Sequence, residues 1–222
     1  MKVVWADGIV AGDGPDLEDG AIAVDASGLV LDVGPAAEIV QRHAGAELER
    51  IRGVVLPGLV NAHTHLELSA LRGQVPGGAG FVPWVERLIG ARAESAPEED
   101  GAAIERAVAE LEKAGTVAVG EVTNSLAAVG ALARAGLSGC IFHEVFGVKR
   151  EGVMRRTEAL LADVEEKLGR WGSPRLSYAL AVHTLYTTHP DAVRAIVAHA
   201  LARGRRTSIH LAEHAAERRA LE

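Results

Sequence analysis

Two histidines two residues apart, His63 and His65, stand where an apolar run ends in "LPGLVNAHTHLELSA". Residues i and i+2 of a strand share a face, so both imidazoles can address one point, and neutral imidazole nitrogens bind divalent transition metals. By itself the spacing is also, and more commonly, that of two polar residues capping a strand. His210 in "SIHLAEH" changes that reading, because it closes another apolar run and adds a third nitrogen. Three histidines suit one zinc or iron ion with a position left open for water. Glu213 follows three residues later, where the chain turns out of the strand, and its carboxylate can reach over a metal without binding it and carry protons. A glutamate there also suits the first turn of a helix for purely electrostatic reasons.

His183 ends the preceding apolar run in "AVHTLYTTHP", a place from which it can touch a substrate or sit beside the metal; the alternative is a hydrogen-bonded loop histidine. Trp84 in "GFVPWVERL" reads as a helix residue covering the mouth of the site, with a ring that a substrate can lean on. His143 and Glu144 are consecutive in a strand, so only one of them faces the interior. His43 and His199 are read as structural or solvated, His189 and His214 as cap or surface residues, and Cys140 as core.

The elements that must position these groups fall into two regimes. Residues 1–53 carry short apolar runs broken by Gly, Asp and Pro; "AIAVDASGLVLDVG" reads as a hairpin turning at residues 26–28, and the whole as a small all-β unit. From Val54 the rhythm is strand then helix. Strands are expected at 54–60, 116–122, 138–145, 175–182 and 206–211, with helices near 81–92, 97–114, 126–135, 153–168 and 190–202. Such alternation means a parallel sheet, either doubly wound or a (β/α) barrel. No glycine-rich phosphate loop follows any strand, and metal-capable groups gather at the strands' carboxyl ends, where barrel enzymes place their sites. The expected domains are therefore 1–53 and a barrel portion at 54–222.

The chain has 222 residues, 48% of them hydrophobic, which supports a sizeable core. Its net charge of -7, with basic residues dispersed apart from short clusters such as 203–206, argues against nucleic acid as a partner. A single cysteine excludes an internal disulfide, and no segment reads as a leader or reaches transmembrane length, so a cytoplasmic protein without membrane contact is expected.

"PGLVNAHTHLELSALRG", "GTVAVGEVTNS", "AVHTLYTT" and "SIHLAEHAAE", in that order, resemble the deaminase and chlorohydrolase branch of the amidohydrolase superfamily. That branch includes S-adenosylhomocysteine, methylthioadenosine and aminofutalosine deaminases and triazine hydrolases, and the resemblance covers essentially the whole chain. It implies a (β/α)8 TIM-type barrel, of which about the first five βα units are present, and an N-terminal β-sandwich portion. It implies one divalent metal ion, zinc or iron, on His63, His65 and His210, with Glu213 protonating a ring nitrogen and His183 contacting substrate. The implied reaction is hydrolytic deamination of a purine-type or related small heterocycle.

The superfamily also has a histidine after strand six and a metal-binding aspartate after strand eight. The chain from Val54 falls short of the ~250 residues of a complete barrel, so those positions are expected beyond Glu222, in a longer enzyme of which this part alone is inactive. An open-edged partial barrel also invites association, hence a homo-oligomer. Two other functions fit the same residues: a dechlorinating hydrolase on this scaffold, and a binding or assembly module that keeps the fold without the chemistry.

Overall fold

The computed structural model describes residues 1–221 and divides them into two compact units, Met1–Gly58 and the chain from Leu59 onward.

In the first unit β1 (Lys2–Ile9), β2 (Leu17–Val24), β3 (Val30–Pro35) and β4 (Glu47–Val55) form one sheet in the order β3-β2-β1-β4. β2 and β3 form the expected hairpin. Asp25 Oδ1 accepts from the N–H groups of Ser27 and Leu29 at 2.8 and 3.0 Å, and Gly28 takes a φ of 87°, which costs glycine little. The expectation of an all-β unit is corrected by α1 (Ala36–Arg42), which follows Pro35 with Glu38 in its first turn and Arg42 in its last. Ile39 of α1 is 1% exposed and packs with Val3, Ala21 and Ala23, so among the described residues a helix, and no second sheet, covers this one. His43 closes α1, its Nε2 3.1 Å from Asp32 Oδ2, a structural role.

The run read as one strand at 54–60 is two strands. Val54 and Val55 complete β4 by pairing with Gly8 and Ile9 of β1, and β5 begins only at Leu59. Pro57 has no N–H to give to a ladder, so the break falls at Pro57–Gly58 and the first unit ends there, not at Gly53.

From Leu59 the order is β5 (Leu59–Thr64), a 3-10 turn (Leu66–Leu71), α2 (Phe81–Glu94), α3 (Pro97–Lys113), β6 (Thr116–Thr123), α4 (Val129–Arg134), β7 (Ser138–Val145), α5 (Arg150–Ala162), α6 (Val164–Arg170), β8 (Leu176–Val182), α7 (Pro190–Ala202) and α8 (Ala215–Leu221). The sheet is parallel throughout, with neighbours in chain order, β5-β6-β7-β8. A doubly wound sheet would reverse its order at a switch point; unbroken sequential order is that of a barrel wall. The helix expected at 153–168 is broken at Asp163 into α5 and α6.

The fifth expected strand, 206–211, lies beside β8 as one isolated bridge, Val182 to Ile209, with Val182 N–H donating to Ser208 O at 2.9 Å and His210 N–H to His183 O at 3.0 Å. Thr207 Oγ1 donates to the Leu180 carbonyl at 2.8 Å, so a side chain stands where a ladder bond would extend the pairing.

Alternation sorts the side chains. Ile141 and Val145 of β7 and Tyr178, Leu180 and Val182 of β8 join Ile104, Val108, Leu132, Val153 and Ile196 of the helices in one core. Glu144, between His143 and Val145, belongs to the opposite face. β5 approaches β6 closely because Gly120 has no side chain: a Cβ there would stand 2.1 Å from the Ala62 carbonyl oxygen, in the residue just before His63.

Candidate metal centre

His63 ends β5 one residue before Thr64, and His65 caps the 3-10 turn that follows. His210 reaches the same place from the segment beside β8. The ring centroids lie 5.0 Å apart for His63 and His65, 4.9 Å for His63 and His210, and 5.3 Å for His65 and His210. One nitrogen from each lies within 4.8 Å of the others, and the Nε2 atoms of His65 and His210 are 3.2 Å apart. Two nitrogens on a tetrahedral zinc, each ~2.0 to 2.1 Å from the metal, stand ~3.3 Å from one another, so this spacing fits a shared cation. Burial and the neighbouring His210 and His63 rings hold His65 below the ordinary histidine range, which keeps it neutral, the form in which imidazole binds metal.

A second group overlaps the first: Glu144, His183 and His210 also place ligand-capable atoms within 4.8 Å. Glu144 is 1% exposed, and its Oε1 stands 3.2 Å from His210 Nδ1. Burial alone would raise its pKa, but His210, His183 and His65 outweigh burial and hold it below the usual carboxylate range. In return Glu144 raises the pKa of His210, while burial lowers that of His183. His183 Nδ1 is 2.7 Å from Thr187 Oγ1 and its ring centroid 5.6 Å from that of His210.

The sequence left open which of His143 and Glu144 faces inward. It is Glu144; His143 points into the helix layer, its Nδ1 2.8 Å from Tyr178 Oη, and burial pushes its pKa down to about 4.

Glu213 is exposed, its backbone N–H donating to Glu217 Oε2 at 2.8 Å, just after Ala212 at a φ of 58°. Its charge raises the proton affinity of both His183 and His210, so it borders the cluster. Trp84 does not join the four histidines. It is half-buried on α2, 6.1 Å from Phe81 between ring centroids, and Phe81 packs on His214 at 3.9 Å. His189 caps α7, its Nδ1 accepting from Asp191 N–H at 3.2 Å.

Two buried carboxylates brace the loop that carries His65. Glu67 accepts from Thr123 Oγ1 at 2.7 Å, Ser125 Oγ at 2.5 Å and the N–H groups of Asn124 and Ser125 at 3.1 and 2.9 Å. Burial opposes its ionisation, yet these donors hold its pKa below the ordinary range. Among the described residues Glu121 receives only the Leu66 N–H, at 3.2 and 3.1 Å to its two oxygens, and burial pushes its pKa to about 8.

A folded pKa above the unfolded one means that the stabilisation is complete below the unfolded value and is lost as pH rises through the folded one. Relative to Glu121→Gln, the wild type should therefore lose stability between pH 4.5 and about 8, at up to ~1.4 kcal/mol per pH unit. Urea denaturation across that range checks this; parallel stability curves would refute the raised pKa.

The Amidohydrolase family profile matches residues 54–222. The chain belongs to the amidohydrolase family. Among its family relatives, the aminodeoxyfutalosine deaminase of a Nitratiruptor species is 26% identical over 210 residues, 93% of this chain and 50% of that protein. The 5-methylthioadenosine/S-adenosylhomocysteine deaminase of Desulfovibrio desulfuricans is 32% identical over 208 residues, 90% of this chain and 46% of the relative. Atrazine chlorohydrolase TrzN from Arthrobacter aurescens TC1, solved in complex with zinc, superposes with a TM-score of 0.78 at 16% identity, covering 96% of this chain and 53% of TrzN; that likeness shows the fold. The chain spans about half the length of the curated relatives it matches. This amidohydrolase has, among its described residues, no helix long and apolar enough to cross a membrane.

Sequence reasoning missed Asn124 and Glu67 as parts of the site and left Glu144 undecided against His143. "HTHLE" and "TNS" lie beside the quoted motifs, but nothing in their spacing says that Glu67 reaches across to residues 123–125.

Proposed function

We propose that the complete protein is a metal-dependent hydrolase that removes an amino group from a purine-type or related heterocycle. The observation that carries this reading is the convergence of His63, His65 and His210, with ligand nitrogens within 4.8 Å of one another. Zinc is the proposed ion, as in TrzN, and iron the alternative. A divalent ion held there supplies the Lewis acidity that makes water a nucleophile near neutral pH.

The chain's own residues do the rest. Glu213 borders the cluster without belonging to the three-histidine set, and it delivers a proton to the ring nitrogen of the substrate as the amino-bearing carbon is attacked. His183, held by Thr187, presents its free ring nitrogen to the substrate. The aromatic pair Phe81 and Trp84 on α2 offers a surface on which a planar ring can lean. The substrate class comes from the two deaminases to which the chain is similar.

The test is ammonia release by the full-length, zinc-loaded protein from a panel of amino-substituted purine nucleosides. Release from at least one, abolished by chelation, is the expected result. Chloride release from chlorinated triazines with no ammonia from any amino heterocycle would replace deamination by dechlorination on the same scaffold. No turnover with any member of either class would leave the non-catalytic module as the better account.

A further inference from the structure

One carboxylate stands inside the histidine cluster without belonging to the three-histidine set. Glu144 is 1% exposed at the end of β7; Asn124 Nδ2 donates to its Oε2 at 2.9 Å, and Oε1 faces His210. The 3.2 Å approach of His210 Nδ1 has the length of an ion pair without the alignment of a hydrogen bond, so Oε1 is buried with no aligned donor. A buried carboxylate oxygen in that state costs free energy unless positive charge or a proton-bearing ring stands opposite it.

Asn124 is fixed in turn, because its backbone N–H donates to Glu67, two residues beyond His65. The connections thus run from the loop after His65, through the loop after β6, to Glu144 and back to His210.

The two nitrogens of His210 face different things. Nε2 lies 3.2 Å from His65 Nε2, whereas Nδ1 has two acceptors within reach, Glu144 Oε1 and the His183 carbonyl at 3.3 Å. A proton on Nδ1 leaves the Nε2 lone pair directed at the point that His63 and His65 share. A proton on Nε2 would remove a ligand from that point. A carboxylate behind a ligating imidazole selects the first tautomer and raises the ring's basicity.

We infer that Glu144 is the positioning residue of the metal centre: it holds His210 by Nδ1, in the tautomer and plane that make Nε2 a ligand, and Asn124 and Glu67 aim it. This rests on the reading of His63, His65 and His210 as metal ligands.

The test uses the full-length protein, with zinc titrated against a chromophoric chelator and cobalt(II) as a spectroscopic probe. Glu144→Gln should keep one ion per chain, weaken zinc about 10–100-fold and shift the visible cobalt bands. Equal zinc affinity and an unchanged cobalt spectrum in Glu144→Gln, beside a wild type that binds, would overturn the inference alone. A wild type that binds neither ion would overturn the metal centre and the inference with it. Two ions per wild-type chain, one of them lost in Glu144→Gln, would make Glu144 a ligand of a second site with His183 and end the positioning role. Should Glu144→Gln fail the far-UV circular dichroism check for folding, Asn124→Ala reads the same device. It should weaken zinc several-fold, and unchanged affinity there would also overturn the inference.

Discussion

His65→Ala abolishes stoichiometric zinc binding by the chain. The three nitrogens converge from two separate segments, His63 and His65 from the end of β5 and His210 from beside β8, and among the described residues Glu144 and His183 complete a ligand group with His210 but not with His63. His65 is half-buried, and its surroundings keep the ring neutral, so it enters the coordination sphere without first shedding a proton. Structural zinc sites are worth ~10 to 16 kcal/mol shared among four ligands, a few kcal/mol each. Removing one therefore weakens binding on the order of 10²- to 10³-fold, at ~1.4 kcal/mol for each factor of ten. Chelator competition on the purified chain measures this, with circular dichroism confirming the fold. His199→Ala, on α7 and outside both ligand groups, is the control and should bind as the wild type does. Full binding by His65→Ala would move the centre elsewhere.

The second large effect is on rate. In the full-length protein, Glu213→Gln should retain zinc and lose ~10²- to 10⁴-fold in kcat, the range for a positioned proton-transfer group. The substitution keeps the size of the side chain and removes its charge and its ability to give and take a proton. The backbone hydrogen bond from Glu213 to Glu217 Oε2 does not involve the Glu213 side chain, so the turn should survive the change. Zinc content and ammonia release measured on the same preparation separate the cases. Zinc lost together with rate would make Glu213 a ligand, and rate retained with zinc would assign the proton transfer to another group.

Much of the architecture was legible because it depends on short-range pattern. Helix and strand periods located β7, β8 and α7 closely, and the clustering of histidines at strand ends pointed to a barrel before the tertiary structure did. Local chemistry was also readable where one residue decides: Gly28 at the hairpin turn, Pro190 at the start of α7 and His189 at its cap. The errors at 54–60 and 36–42 have local signals as well. Pro57 breaks the first run, and Pro35 opens a helix whose Glu38 and Arg42 suit its two ends.

What the sequence could not determine is which groups meet across the sheet. His143 and Glu144 differ by one residue, and a period of two says only that they face opposite ways. The core decided between them, because Ile141 and Val145, on the same side of β7 as His143, are buried against the helices, and that turns Glu144 towards His210. The same holds for Glu67, which braces residues 123–125 from 56 to 58 positions away, and for the 206–211 segment, whose pairing is limited by Thr207. Spacing along the chain tells which residues can share a face; the packing of helices on the sheet determines which face that is and whom it meets.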